Sequence, residues 1–209
     1  MIVKLDNVSK EYKNETVLKN ISVTLESGKV YGLWGKNGSG KTMFMRAISG
    51  LIKPTTGKVY VDGEELCSSN PFPGSIGILI ENPGFLDSFS GYANLKMLAD
   101  IKGIIGKEEI NLVLQTVGLY EQKGKKYRKY SLGMKKKLGI AAAIMEKPDI
   151  VLLDEPMNAL DKESAEKVRS IIKNLKEDGC LVVLAAHDMD DINELSDVII
   201  KMESGEIVE

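Results

Sequence analysis

The sequence predicts an α/β fold in which a central parallel sheet carries an antiparallel β edge and a small helical lobe. Three observations predict it. Several strand-length runs are apolar throughout, the pattern of strands covered on both faces. Helical periodicities lie between those runs, as the crossover connections of a parallel sheet require. One early segment instead alternates apolar and polar residues, the mark of a half-buried antiparallel strand. With 209 residues and 43% hydrophobic content, the chain suffices for one domain that buries about 70% of the surface exposed when unfolded. Residues 1–209 are expected to form that single domain, with the helical lobe inserted at about 84–147.

The alternating segment places Ile21, Val23 and Leu25 on one face and Ser22, Thr24 and Glu26 on the other. The apolar runs are Val30 to Trp34, Ile76 to Ile80, Ile150 to Leu153 and Leu181 to Ala186. Between Pro83 and Lys147 the patterns are helical and no strand stands out. One of them runs from about Ser131 to Met145, with Met134, Leu138, Ala142 and Met145 on one face. A further helix follows Asp161, where Val168, Ile171, Ile172 and Leu175 repeat at helical spacing, Asp161 caps the start and Gly179 marks the end.

Charge excludes some partners. The 28 basic and 30 acidic side chains leave a net charge of −2, so the chain as a whole has no attraction for nucleic acid or anionic lipid. A local basic run, Lys123, Lys125, Lys126, Arg128, Lys129, Lys135, Lys136 and Lys137, reads as an electropositive rim around phosphates; a solvated face or a nucleic-acid site are the other readings. The longest uncharged stretch, Leu66 to Ile80, is broken by Pro71, Pro73 and Gly74, which argues against a membrane span. No secretory signal is visible at the start, so a cytoplasmic location is expected. Cys67 and Cys180 stand apart and belong to no metal-binding pair.

The chemistry begins at Gly35-Lys36-Asn37-Gly38-Ser39-Gly40-Lys41-Thr42, directly after the strand ending at Trp34 and before a helical pattern. This is G-x-x-x-x-G-K-[ST] in the strand-loop-helix context it needs. The glycines let backbone N–H groups converge on a phosphate, and the helix start adds partial positive charge. Lys41 can reach β- and γ-phosphates, and Thr42 can ligate Mg²⁺. A second element is Ile150 to Glu155. Its apolar residues bury a strand and bring Asp154 to the C-terminal tip, where it can hold Mg²⁺, and Glu155 next to it can polarise an attacking water. The only histidine, His187, follows another buried strand and so faces the same crevice, where it can bond a γ-phosphate. Last comes Tyr130-Ser131-Leu132-Gly133-Met134-Lys135, a Ser/Gly turn at a helix start and an anion site by geometry.

In this order, with Asn158-Ala159-Leu160-Asp161 after Glu155, the motifs resemble the nucleotide-binding domain of ATP-binding cassette (ABC) proteins over essentially the whole chain. The resemblance implies a P-loop NTPase fold of the ABC ATPase type. It also implies that Tyr12 stacks on adenine, that Gly35 to Thr42 form the Walker A loop, and that Met43 takes the place usually held by Ser or Thr. Tyr130 to Met134 correspond to the signature loop, with Ser131, Leu132, Gly133 and Met134 acting in trans. Asp154 and Glu155 correspond to Walker B and its catalytic glutamate, Asn158 to Asp161 to the D-loop, and His187 to the switch histidine. Glu81, in Ile80-Glu81-Asn82-Pro83, takes the place of the Q-loop glutamine, where a carboxylate attracts Mg²⁺ more strongly than an amide.

Leu132, Met134 and Met43 also depart from the family pattern, weakening the expected trans contact and the α-phosphate contact. Glu81 with the signature variant resembles the ATPase subunits of bacterial lantibiotic-immunity and bacitracin-resistance exporters. The cofactors implied are ATP and Mg²⁺. The partners implied are membrane permease subunits and a second ATPase subunit, most simply another copy of this chain, since a two-fold dimer needs both half-sites in one sequence. Through the permease the chain is expected to sit peripherally at the inner face of the cell membrane. Some of Phe85, Leu86, Phe89, Tyr92, Leu95 and Leu98 would line the groove for a permease helix, the rest being core. The rival is a soluble ABC ATPase acting on ribosomes or nucleic acid. A small-molecule kinase is disfavoured because Arg46, Arg128 and Arg169 are too scattered to clamp a transferring phosphate.

Overall fold

The computed structural model describes residues 1–208 apart from 14 and 82; Asn82 of the run quoted above therefore lies outside the described residues. Two strands, β1 (Ile2–Tyr12) and β2 (Glu15–Glu26), form a hairpin with Leu5 opposite Val23. Ile21 and Leu25 are buried while Ser22, Thr24 and Glu26 are exposed, as the alternation requires. Next come β3 (Val30–Trp34), α1 (Lys41–Ile48), β4 (Thr56–Val61) and the two-residue β5 (Glu64–Glu65). One antiparallel sheet has the order β2-β1-β4-β5.

The second sheet uses β3 with β6 (Ile76–Leu79), β7 (Ile150–Asp154), β8 (Leu181–Ala185), β9 (Val198–Glu203) and β10 (Glu206–Ile207). Its order is β10-β9-β3-β8-β7-β6, parallel except for β10. Alternation along β7 explains why its run is apolar throughout. Ile150 and Leu152 enter a core with Phe44 of α1 and Leu5 and Leu25 of the antiparallel sheet. Val151 and Leu153 enter a second core with the helices. All four are fully buried, each worth roughly 1.5–3 kcal/mol against exposure. β9 is not visible in the sequence pattern because Lys201 and Glu203 interrupt it.

The stretch 84–147 carries α2 (Gly91–Lys102), α3 (Lys107–Thr116) and α4 (Leu132–Ile144), with two short 3₁₀ turns between the last two. Side-chain oxygens start two of these helices, Ser90 accepting from the Ala93 N–H and Ser131 from the Met134 N–H. The one-faced pattern expected for Ser131 to Met145 holds only in part. Gly139, Ile140, Ala141 and Ala143 are buried along with Leu138, because α4 is covered by β6 on one side and by α2 and α3 on another.

Contact between α4 and β6 is backbone to backbone. A Cβ on Gly77 would lie 1.7 Å from the Ala143 carbonyl oxygen, and one on Gly139 would lie 2.7 Å from Leu79 Cδ1. No rotamer change can move a carbonyl oxygen aside. Gly77→Ala is therefore expected to cost about 3 kcal/mol, the upper part of the range for overpacking, read as a lower urea midpoint at unchanged slope.

The chain closes with α5 (Lys162–Glu177) and α6 (Met189–Leu195). Asp161 Oδ1 accepts from the Ser164 N–H at 2.8 Å and caps α5, as its position predicts. Three cations one turn apart on α5 meet three acids on and just after α6. Arg169 pairs with Asp191 at 2.7 Å, Lys173 with Glu194 at 2.7 Å, and Lys176 with Asp197. Asp197 also accepts the Val30 N–H at 2.9 Å, so the ladder is tied to the first residue of β3.

Candidate functional site

The parallel strands end on one side of the sheet, and their tips frame a cavity of about 820 Å³. From the loop after β3 come Asn37, Gly38, Gly40, Lys41, Thr42 and Met43; from the loop after β7 come Asp154, Glu155, Asn158 and Ala159. Glu81 after β6, Leu132 and Lys136 of α4, and Thr16, Val17 and Gly205 line the same space.

Gly38 and Gly40 have φ of 81° and 106°, left-handed values that favour glycine. Gly40 precedes α1 and no side chain caps that helix, so its first N–H groups are left for an anion. Lys41 is 6% exposed, and its ammonium donates to the carbonyls of Gly35 at 2.6 Å and Lys36 at 3.1 Å. These bonds hold the loop as a ring around the lysine. Ser39 is buried within it, and its Oγ has no partner. An orphaned hydroxyl, uncapped N–H groups and a buried cation together fit a phosphate chain.

Thr42 Oγ1 donates to Asp154 Oδ2 at 2.7 Å, joining the two strand-end motifs across 112 residues. Burial raises the Asp154 carboxyl above its ordinary range, against the Thr42 hydrogen bond that lowers it. A hydroxyl beside a carboxylate is the hard-oxygen donor set that a cation such as Mg²⁺ uses when phosphates and water supply the remaining positions. Half-buried Lys136 places its Nζ 3.4 Å from the Asp154 carbonyl oxygen. Burial lowers its pKa, opposed by the attraction of Asp154 and Glu155.

Glu155 has φ of 51°, left-handed and costly for a residue with a side chain. Its N–H donates to the Ala185 carbonyl at 2.8 Å, fixing it to the end of β8. His187, two residues beyond β8, meets it there, with Nδ1 2.6 Å from Glu155 Oε1. Asn158 donates its side-chain amide to Glu155 Oε2.

The remaining candidate residues are divided between the cavity and the surface around it. Tyr12 does not line the cavity; it is 44% exposed on β1, with the Lys10 ammonium 4.6 Å from its ring centre. Glu81 lines the cavity, but its carboxylate is bound by Arg46 of α1 at 2.7 Å. Of the signature residues, Leu132 alone lines it, while Ser131 is engaged as the α4 cap and Met134 packs against the helical core. Gly133 passes close to the D-loop, its absent Cβ 3.0 Å from the Ala159 carbonyl. From sequence Lys136 entered only as one member of the basic run read as a rim around phosphates, and Arg46 only as one of three scattered arginines. For Lys136 a signal existed, since it lies one helical turn after Leu132 and must share its face.

A family model described as ABC transporter matches residues 18–158. The chain belongs to the ABC transporter family. It is 44% identical to the ABC transporter ATP-binding protein YybJ of Bacillus subtilis (strain 168), over 99% of this chain and 94% of that one. It is 38% identical to the bacitracin transport ATP-binding protein BcrA of Enterococcus faecalis, over 100% of this chain and 68% of the other. With the lantibiotic transport ATP-binding protein SrtF of Streptococcus pyogenes it shares 33% identity, over 99% and 89%. Among solved structures it is similar to the ATP-binding cassette MJ0796 in a dimeric, post-hydrolysis state bound to ADP and Pi, with a TM-score of 0.90, 28% identity, and coverage of 99% and 97%. This ABC chain is thus an ATP-binding subunit of a transporter and an ATPase. Among its described residues no helix is long and apolar enough to cross a membrane.

Proposed function

We propose that this ABC ATPase powers a bacterial exporter of antimicrobial peptides or related compounds, working as a dimer with ATP sandwiched between subunits and held at the inner face of the membrane by permease subunits. The observation that carries the hydrolytic part is Glu155, held at 2.6 Å by His187 on the cavity that the Lys41 loop and Asp154 also line. The substrate class rests on similarity, over nearly the whole of this chain, to proteins named for bacitracin and lantibiotic transport. The chain acts as one domain, with the helical stretch at about 84–147 facing the permease.

Lys41 and the N–H groups from Gly35 to Met43 bind the phosphates, and Tyr12, whose ring stands outside the cavity beside Lys10, would turn toward it to take the adenine. Thr42 and Asp154, with Glu81 if Arg46 released it, would hold Mg²⁺, which would neutralise phosphate charge when bound. Glu155 orients a water and accepts its proton, and His187 holds the γ-phosphate. Ser131, Leu132, Gly133 and Met134 close on the ATP of the other subunit, with Asp161 anchoring the D-loop between the sites. Hydrolysis removes the bridging phosphate and the dimer reopens.

The test is resistance. Cells given this chain together with its permease subunits are expected to survive more bacitracin or lantibiotic than cells carrying the Glu155→Gln version. Equal survival, with the chain sedimenting with ribosomes instead of membranes, would favour the soluble alternative.

A further inference from the structure

We infer that Asn158 is a positioning residue that aims Glu155 at its water; this rests on the reading of Glu155 and His187 given above. A carboxylate presents two oxygens, and one hydrogen bond leaves it free to swing about that contact. In this structure both are engaged. His187 Nδ1 holds Oε1 at 2.6 Å, and the Asn158 amide donates to Oε2.

The same Asn158 nitrogen lies 3.4 Å from His187 Nε2. A side-chain amide carries two protons on that nitrogen, so one can go to Glu155 and the other to His187. Nε2 accepts when the ring proton is on Nδ1, the nitrogen that faces Glu155, and gives this bond up when Nε2 carries a proton of its own to donate to a γ-phosphate. The three side chains thus close a ring in which every donor has an acceptor, and Asn158 is the member that touches both of the others.

Backbone supports the ring from two directions. The Asn158 N–H donates to the Glu155 carbonyl at 3.3 Å, closing the turn between them. Glu155 itself is pinned to Ala185 and held at a left-handed φ, which points to a side chain placed against backbone preference. Asn158 is exposed and lines the cavity, so changing it leaves the core intact.

Substitution separates this role from its rivals. Asn158→Asp keeps the shape, loses both donors and adds a negative charge beside Glu155. It is expected to lower kcat about a hundredfold, the cost of roughly 1 Å of misplacement, with KM for ATP within about twofold of wild type. Asn158→Ser, which retains one donor, should fall between. Thermal midpoints should hardly move, as for other exposed positions. In a Glu155→Gln background, Asn158→Asp should bring no further loss, because the group it positions is already gone.

A wild-type kcat in Asn158→Asp, a loss carried wholly by KM, or a further hundredfold loss in the double variant would each overturn the inference. Glu155→Gln alone tells which claim has failed. If it hydrolyses ATP normally, the reading of Glu155 falls; if it is inactive while Asn158→Asp is normal, only the positioning role falls.

Discussion

Glu155→Gln is expected to lower ATP turnover about a thousandfold, within the range for loss of a positioned general base, while the protein still binds ATP. The glutamine keeps the size of the side chain and its place at the end of β7, next to Asp154 and against Ala185. It removes the proton-accepting oxygen. The Lys41 ring, the Gly38 and Gly40 loop and the Thr42–Asp154 bond lie on other residues and should hold nucleotide as before. A site that binds but cannot turn over should accumulate the closed dimer. Phosphate release and size-exclusion chromatography, with and without ATP–Mg²⁺, measure both effects. A variant that turns over normally removes Glu155 from the chemistry. An inactive variant that stays monomeric with ATP present would mean that Leu132 and Met43 weaken the sandwich or that a different second subunit is needed.

Asp154→Asn should do two opposite things, sharply lowering turnover and stabilising the fold. The carboxyl is raised above its unfolded value, chiefly by burial. The folded state therefore binds that proton more tightly than the unfolded chain does. The associated stability is fully present below the unfolded pKa and is lost as pH rises through the folded one. At neutral pH the ionised Asp154 is consequently a burden on the fold.

Asparagine removes the charge yet still accepts from Thr42, and the Lys136 bond is to the main-chain oxygen of residue 154 and survives. The thermal midpoint at pH 7 should rise above wild type, and the gap should narrow as the solution is acidified. Turnover should drop about a thousandfold, as expected when several kcal/mol of metal-assisted stabilisation is lost. A midpoint below wild type at pH 7 would mean that the charge serves the fold through Lys136.

The parallel sheet was legible because Val30 to Trp34, Ile150 to Leu153 and Leu181 to Ala186 are each buried on both faces, a demand that few other residues meet. The phosphate loop was legible because glycine spacing encodes a local backbone path. Asp154 and Glu155 could be placed on the cavity since β7 ends there, whereas His187 is not part of the lining and meets the site through Glu155. What stayed hidden depends on side chains that meet only after folding. Arg46 and Glu81 are 35 residues apart, and neither advertises the other. Lys136 sat within a run of lysines whose neighbours face elsewhere, such as Lys137, which bonds Ser164. Tyr12 could be assigned only through the family, and in this structure its ring stands away from the cavity under Lys10.

The charge ladder along α5 gives the molecule a mechanical property. That helix has 16 residues, about 24 Å at 1.5 Å per residue. Its first turn is clamped by Asp161, three residues after Asn158. Its flank is bolted at three points to the segment that begins at Asp188, the neighbour of His187, and ends at Asp197 on the root of β3. The D-loop and the histidine loop are thus fastened along one helix, a beam whose far end Asp197 ties to the strand that leads into the phosphate loop. The loops that would sense the neighbouring subunit and the terminal phosphate share one end of the beam, where Asn158 and His187 meet, and the strand leading into the phosphate loop is fastened at the other.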